Sequence, residues 1–277
     1  MIQATALFTH ALNMLFHAPS TTLRVILPAV LWVMGAAAVA GVLAGDALGA
    51  MDQVIDNAAP PPTDQLLILI ACGLAGILGY ALMAILWHRY VLLGHGGTDL
   101  RPGARLFGAY VWRAIVLGFV QFLAALPIGL AMLLLGGLTG SSPAALLLIG
   151  LVAGVAFLWL ALRLSLVLPA AALGHVMSVR ESWRATEPLA STLWALAVLL
   201  AVVNTLLGVI ASILPPADPG LRLMLDSAIY LIEGLVFVSM LTTLYGHLVE
   251  GRELGYPPPP PPFQAIPPSI RPRARRA

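Results

Sequence analysis

Lysine is absent from this 277-residue chain: all fourteen basic residues are arginine. Without lysine, no glycine-rich phosphate loop of the nucleotide-binding kind is available. Cysteine is almost absent too. Cys72 stands alone within an apolar stretch, which excludes an internal disulfide and a cysteine metal cluster and makes it a small packing residue. Charge of either sign is scarce, at 9% of residues against roughly 25% in an ordinary soluble domain. A soluble protein of this length would need far more surface charge to stay dispersed. The net charge of +2 says little beside the placement of the charges, and no nucleic-acid partner is expected.

Apolar sequence is what the chain has in abundance, at 60% of residues. It gathers into six stretches, near residues 23–45, 66–92, 109–135, 144–168, 192–214 and 227–249. Each supplies the roughly 20 helical residues needed to cross a bilayer core of about 30 Å. The expected fold class is all-α: a polytopic membrane helical bundle of six transmembrane helices over residues 1–250, with a disordered Pro/Arg-rich tail over 251–277. Thirteen of the fourteen arginines fall at same-side helix ends, in the even-numbered gaps or in the tail; Arg222 alone lies in an odd-numbered gap. Basic residues near helix ends resist translocation, so this alternation places both termini in the cytoplasm. The first gap, with Asp46, Asp52, Asp56 and Asp64 and no arginine, then faces outward. The first span is expected to be retained: no basic residue precedes it within residues 1–19, and its apolar run exceeds that of a secretory signal.

Leu7, Phe8, Ala11, Leu12, Leu15 and Phe16 recur at helical spacing before Pro19, predicting an amphipathic helix over 1–19 that lies in the inner interface. Similar segments precede the third and fifth spans. Arg105, Phe107, Tyr110 and Trp112 mark the one over 101–113; Arg180, Trp183 and Arg184 mark the one over 179–189. The chain is thus readable as three units, 1–95, 96–175 and 176–251, each an interfacial helix followed by a membrane hairpin. Residue identity between the units is poor, and any six-helix protein looks repetitive at this level.

Within residues 163–170, Arg163, Ser165 and Pro169 form an arginine-x-serine-to-proline element. Ser182, Trp183 and Thr186 follow in a serine-tryptophan-x-x-threonine helix. This passage resembles uncharacterised bacterial six-span membrane proteins, a group distantly similar to the membrane domain fused to some glycerophosphodiester phosphodiesterases. The resemblance covers residues 159–201 and implies a bacterial inner-membrane location and an all-helical bundle. It implies no activity, because the hydrolase domain of the fused proteins has no counterpart here. In physical terms, Arg163 is expected about 8 Å inside the inner end of its span, snorkelling to lipid phosphate or pairing with Glu181 or Glu187. Pro169 is expected to break the helix. Arg89, Arg113 and Arg184 are further expected interface or lipid-phosphate contacts, with Trp87 and His88 as anchors beside Arg89.

Few polar groups lie deep. Glu233 is the one acid well inside a span, and Asn204 falls within about one turn of its depth on the preceding antiparallel helix. The two are expected to pair in the bundle interior. As interhelical glue the pair would contribute about 1 kcal/mol; as a proton or cation site it would serve a transporter. The structural role is preferred, since coupled transporters usually carry more than one intramembrane charge. Four-residue steps of small residues (Ala37, Gly41 and Gly45; Ala75 and Gly79; Gly150 and Gly154) predict close helix packing, and Pro127 a kink.

Catalytic signatures are missing. His88, His95, His175 and His247 fall near inner helix ends at spacings that match no zinc motif, and no metal or other cofactor is expected. In the tail, Pro257, Pro258, Pro259, Pro260, Pro261 and Pro262 predict an extended polyproline rod ahead of the arginine-rich end. It would be a disordered tail with some lipid affinity, or a docking segment for a cytoplasmic protein partner. Three function classes follow. The preferred one is a non-enzymatic membrane protein that organises the envelope or binds partners. The alternatives are a transporter of a small or lipidic substrate using Glu233, favoured by a polar cavity, and an intramembrane lipid enzyme, which would need clustered His, Asp or Glu.

Overall fold

A computed structural model describes residues 4–52, 62–94, 100–138, 142–213 and 218–254. Its elements are α1 Ala4–Phe16, α2 Pro19–Leu43, α3 Gly45–Asp52, α4 Thr63–Leu93, α5 Ala104–Leu138, α6 Pro143–Leu164, α7 Val167–Ala172, α8 Val179–Ala185, α9 Ala190–Ile213 and α10 Pro219–Leu248, with a 3-10 turn at Glu187–Leu189. Six spans are long and apolar enough to cross a membrane: Pro19–Leu43, Thr63–Leu93, Ala104–Leu135, Leu148–Ala172, Glu187–Ala211 and Pro219–Leu248. The chain is an all-α polytopic bundle. Pro257 to Pro262, Asp56 and His95 lie outside the described residues.

Proline starts three of the long helices, because its missing N–H costs nothing in the first turn. Pro19, Pro143 and Pro219 each stand there, and Asp218 caps α10 by accepting from the N–H groups of Gly220 (2.9 Å) and Leu221 (3.1 Å). With six crossings, the starts of α2, α5 and α9 and the ends of α4, α7 and α10 share one end of the bundle with α1. Side-chain burial is concentrated in this terminal half: Leu7, Trp87, Leu162, Leu193, Met240 and Leu244 are fully buried there.

The amphipathic helix α1 is present, with much of its apolar face packed on protein and Phe16 left exposed. Leu7 and Ala11 are fully buried against α9 and α10. The Ser239 hydroxyl donates to Ala11 O at 2.9 Å and that of Thr22 to Leu15 O at 3.0 Å, pinning α1 to α10 and α2. Among the described residues, no separate interfacial helix precedes the third span. Residues 104–113 are the first turns of α5, because Leu106, Phe107 and Tyr110 find Ala84 and Ile85 of α4 and Ala171 and Ala172 of α7. The helix continues through Pro127.

The fourth span breaks one turn earlier than expected, between α6 and α7 at Ser165 and Leu166, while Pro169 lies inside α7. A proline ring clashes with the carbonyl four residues before it, here that of Ser165, so the break belongs there. Ser182 of α8 fills the gap. Its hydroxyl donates to Arg163 O at 2.8 Å and accepts from Leu166 N–H at 3.2 Å, replacing two contacts of the interrupted ladder. Ser182→Ala is expected to cost about 2 kcal/mol, since two buried backbone groups lose their partner. Detergent unfolding followed by circular dichroism checks this; a loss under about 0.5 kcal/mol would mean that water takes over both bonds.

The three hairpins are not packed alike. Helices α2 and α4 lie in close contact and α5 pairs with α6, whereas α9 packs chiefly against α6 and α10 against α2, α1 and α4. The third pair is therefore splayed. Close approach elsewhere follows some of the small residues. A Cβ on Gly41 would lie 2.8 Å from the Gly220 Cα, and one on Gly79 would lie 2.6 Å from Val33 Cγ2, whereas Gly45 and Gly154 face open space.

Candidate functional site

The splay leaves a cleft of about 820 Å³ in the half of the bundle away from the termini. Val33 and Ala37 of α2 form its floor, Gly73 and Gly76 of α4 one wall, and Tyr230 and Glu233 of α10 the other. Asn204 of α9 and Leu158 of α6 close its side. Exposed Ile70, Ile77 and Tyr230 at its rim show that it opens laterally, towards where acyl chains would lie. At mid-depth it ends blindly, where Tyr80 meets Gly234: a Cβ there would lie 3.0 Å from Tyr80 Cε1, so only glycine lets the ring in. From Leu66 to Tyr80 the α4 wall runs about 21 Å at 1.5 Å per residue, about two-thirds of a bilayer core.

Polar chemistry gathers at the blind end. The side chains of Glu233 and Asn204 are hydrogen-bonded, but their setting differs from the expected one. Asn204 is exposed and Glu233 half-buried, so the pair lies on the cleft wall and not in a closed interior. The cause is the splay, which leaves the pair facing the cleft. Tyr80, within electrostatic reach of Glu233, has a buried hydroxyl with no hydrogen-bond partner among the described residues. Cys72 also lines the cleft, half-buried. Sequence reasoning missed Tyr80. The available signal was its depth, since a membrane tyrosine ordinarily sits in the interfacial belts and Tyr80 sits mid-span.

The arginines expected at lipid phosphates divide. Arg163 is buried: its Nε donates to Thr186 Oγ1 at 3.2 Å, an Nη donates to Trp183 O at 2.8 Å, and its guanidinium carbon lies 3.7 Å from the Trp183 ring centroid. Among the described residues no carboxylate accepts a hydrogen bond from it, because α8 folds back over it. Arg89 is half-buried and donates to Ala172 O, the end of α7, at 3.1 Å. Arg252 does the same for α4, donating to Val91 O (3.2 Å) and Leu92 O (2.5 Å). Helix C-termini carry partial negative charge from unpaired carbonyls, so a cation there is favourable by about 0.3–1 kcal/mol. Arg184 is exposed on α8, and Arg113 half-buried on α5.

Trp87 and His88, expected as interface anchors, are fully buried. His88 Nδ1 lies 2.8 Å from Thr242 Oγ1, whose own proton goes to Val238 O at 2.7 Å; Nδ1 is therefore the donor. At the start of α8 a capping box joins Ser178 and Glu181. The backbone N–H and hydroxyl of Ser178 hold the Glu181 carboxyl below the usual carboxylate range. Among the described residues, no group of three or more His, Cys, Asp or Glu could hold a metal ion. Gln121 donates to Ser165 Oγ at 3.2 Å beside the α6–α7 break. No protein-family model, curated protein or solved structure matches this chain, so its function is read from the cleft and the arginines themselves.

Proposed function

We propose that this is a bacterial inner-membrane protein, with both termini cytoplasmic, that takes a lipidic molecule laterally from the bilayer and holds it in the cleft between α2, α4 and α10. The unpartnered Tyr80 hydroxyl beside the Glu233–Asn204 pair carries the reading. A buried hydroxyl without a partner costs about 1–3 kcal/mol, and a ligand that bonds it recovers that cost. The cleft suits an apolar chain of up to about 21 Å ending in one small polar group. That group is neutral or cationic: among the described residues the lining holds a carboxyl and no arginine, which disfavours a phosphate. The arginine alternation supports the inner-membrane orientation, and the resemblance to bacterial six-span membrane proteins agrees with it. The reading favours transport or carriage of a lipidic substrate over an envelope-organising role, because an apolar cleft that ends in a few polar groups is what a carrier of such a substrate needs and a scaffold does not.

Cys72 reports on the cleft from within. In the full-length protein in nanodiscs, a long-chain primary alcohol is expected to slow alkylation of Cys72 by a membrane-permeant maleimide, while the matching alkyl phosphate does not. Tyr80→Phe and Glu233→Gln should keep the bundle folded and each weaken this protection about tenfold, the loss of one hydrogen bond in a dry site. Protection that is equal in wild type and both variants would remove the polar end from the reading. Unfolding of Glu233→Gln with Tyr80→Phe unaffected would return Glu233 to a structural role.

A further inference from the structure

Arg113 differs from the other arginines that were expected to meet lipid. It is half-buried on α5, and no hydrogen bond or ion pair joins it to another described residue. It lines a groove of about 450 Å³ between α5, α7 and the segment leading into α8. Val116, Leu117, Val167 and Met177 give the groove apolar walls, and Ala109 and Trp112 stand beside the guanidinium. Ser178 also lines it, but its N–H and hydroxyl are both bonded to Glu181 Oε2, at 2.6 and 2.9 Å. Arg113 is thus the one charged residue among the described lining, and no carboxylate of the lining neutralises it.

Its depth says what it faces. The exposed large apolar side chains of α5 run from Trp112 to Leu135, and none occurs between Ala104 and Val111. At 1.5 Å per residue that band is about 35 Å long, close to the roughly 30 Å of hydrocarbon that it has to match. Trp112 and Arg113 therefore stand at its terminal edge, where headgroup phosphates lie and where tryptophan is enriched. A guanidinium with free donors matches two phosphate oxygens in a planar fork.

We infer that this groove seats one anionic phospholipid, with its phosphodiester on Arg113 and an acyl chain along Val116 and Val167. An anionic headgroup is favoured over a zwitterionic one, because the lining offers no acid to receive an amine. The site is distinct from the cleft and does not depend on a ligand there.

The test uses the full-length protein in nanodiscs of phosphatidylcholine doped with phosphatidylglycerol, with retained lipid counted by native mass spectrometry after gentle release. Wild type retains one phosphatidylglycerol. Arg113→Gln weakens that retention about tenfold, and Arg105→Gln, at an exposed arginine of the same helix, leaves it unchanged. Ala109→Trp, which fills the groove and keeps the cation, also abolishes retention and covers the case of a poorly folded Arg113→Gln. Equal retention in wild type and Arg113→Gln, or equal losses in Arg113→Gln and Arg105→Gln, overturns the seat. Inorganic phosphate at millimolar concentration leaves the lipid in place; displacement would make the groove a soluble-anion site and overturn the lipid assignment.

Discussion

Replacing Gly41 by leucine is expected to destabilise the bundle by at least about 3 kcal/mol. A Cβ at this position lies 2.8 Å from the Gly220 Cα and 3.3 Å from its carbonyl carbon. The obstruction is backbone, which cannot rotate away as the end of a side chain can, so α2 and α10 must part. Overpacking that flexible neighbours can absorb costs about 1–3 kcal/mol, and this contact belongs at or above the upper limit. Gly45→Leu is the control. It belongs to the same run of small residues, but its Cβ would meet nothing within 4 Å, and its effect should stay within about 0.5 kcal/mol apart from local helix propensity. Reversible unfolding in mixed micelles, read by circular dichroism, compares the two. If both cost the same, the glycine contact is not what holds α10 against α2.

Arg163→Ala is expected to cost about 3–5 kcal/mol and to release α8. Hydrogen bonds from a charged donor contribute about 1.5–3 kcal/mol each, and Arg163 makes two, to Thr186 Oγ1 and Trp183 O. Stacking over Trp183 at 3.7 Å adds up to about 2 kcal/mol, although these contributions overlap and do not sum. Arg163→Lys should recover less than half of the loss, because a point charge cannot serve both acceptors and lie flat on the ring. The loss should also appear in near-ultraviolet circular dichroism, since Trp159 is stacked on Trp194 at 4.7 Å and edge-on to Trp183 at 5.7 Å. A lysine variant as stable as wild type would show that charge alone secures α8.

The six spans were legible because length and apolarity decide them locally: the expected 66–92 became Thr63–Leu93, and 227–249 became Pro219–Leu248, differing mainly at the starts. The gathering of arginines at one end of the bundle was legible, but the destination of each guanidinium was not. The same end that collects arginines also collects the C-termini of α4, α7 and α10, whose carbonyls need donors, so Arg89 and Arg252 serve the protein's own backbone there. Sequence gave no sign of this because the acceptors are 160 and 161 residues from Arg252, and 83 from Arg89. The pairing of Glu233 with Asn204 could be found by counting depth. Their exposure on a cleft wall could not, since it depends on α9 choosing α6 as its neighbour and leaving α10 to α2. Tertiary preferences of this kind rest on which small residues happen to face each other, and Gly and Ala are too common here for their spacing to tell.

The unequal packing of the two halves has a mechanical consequence. Ser239, Thr22 and the buried leucines knit the bundle together near the termini, while α9 and α10 diverge beyond mid-depth. In a body built this way, the thickness and stiffness of the surrounding bilayer would bear first on the angle between its arms and least on the knitted base.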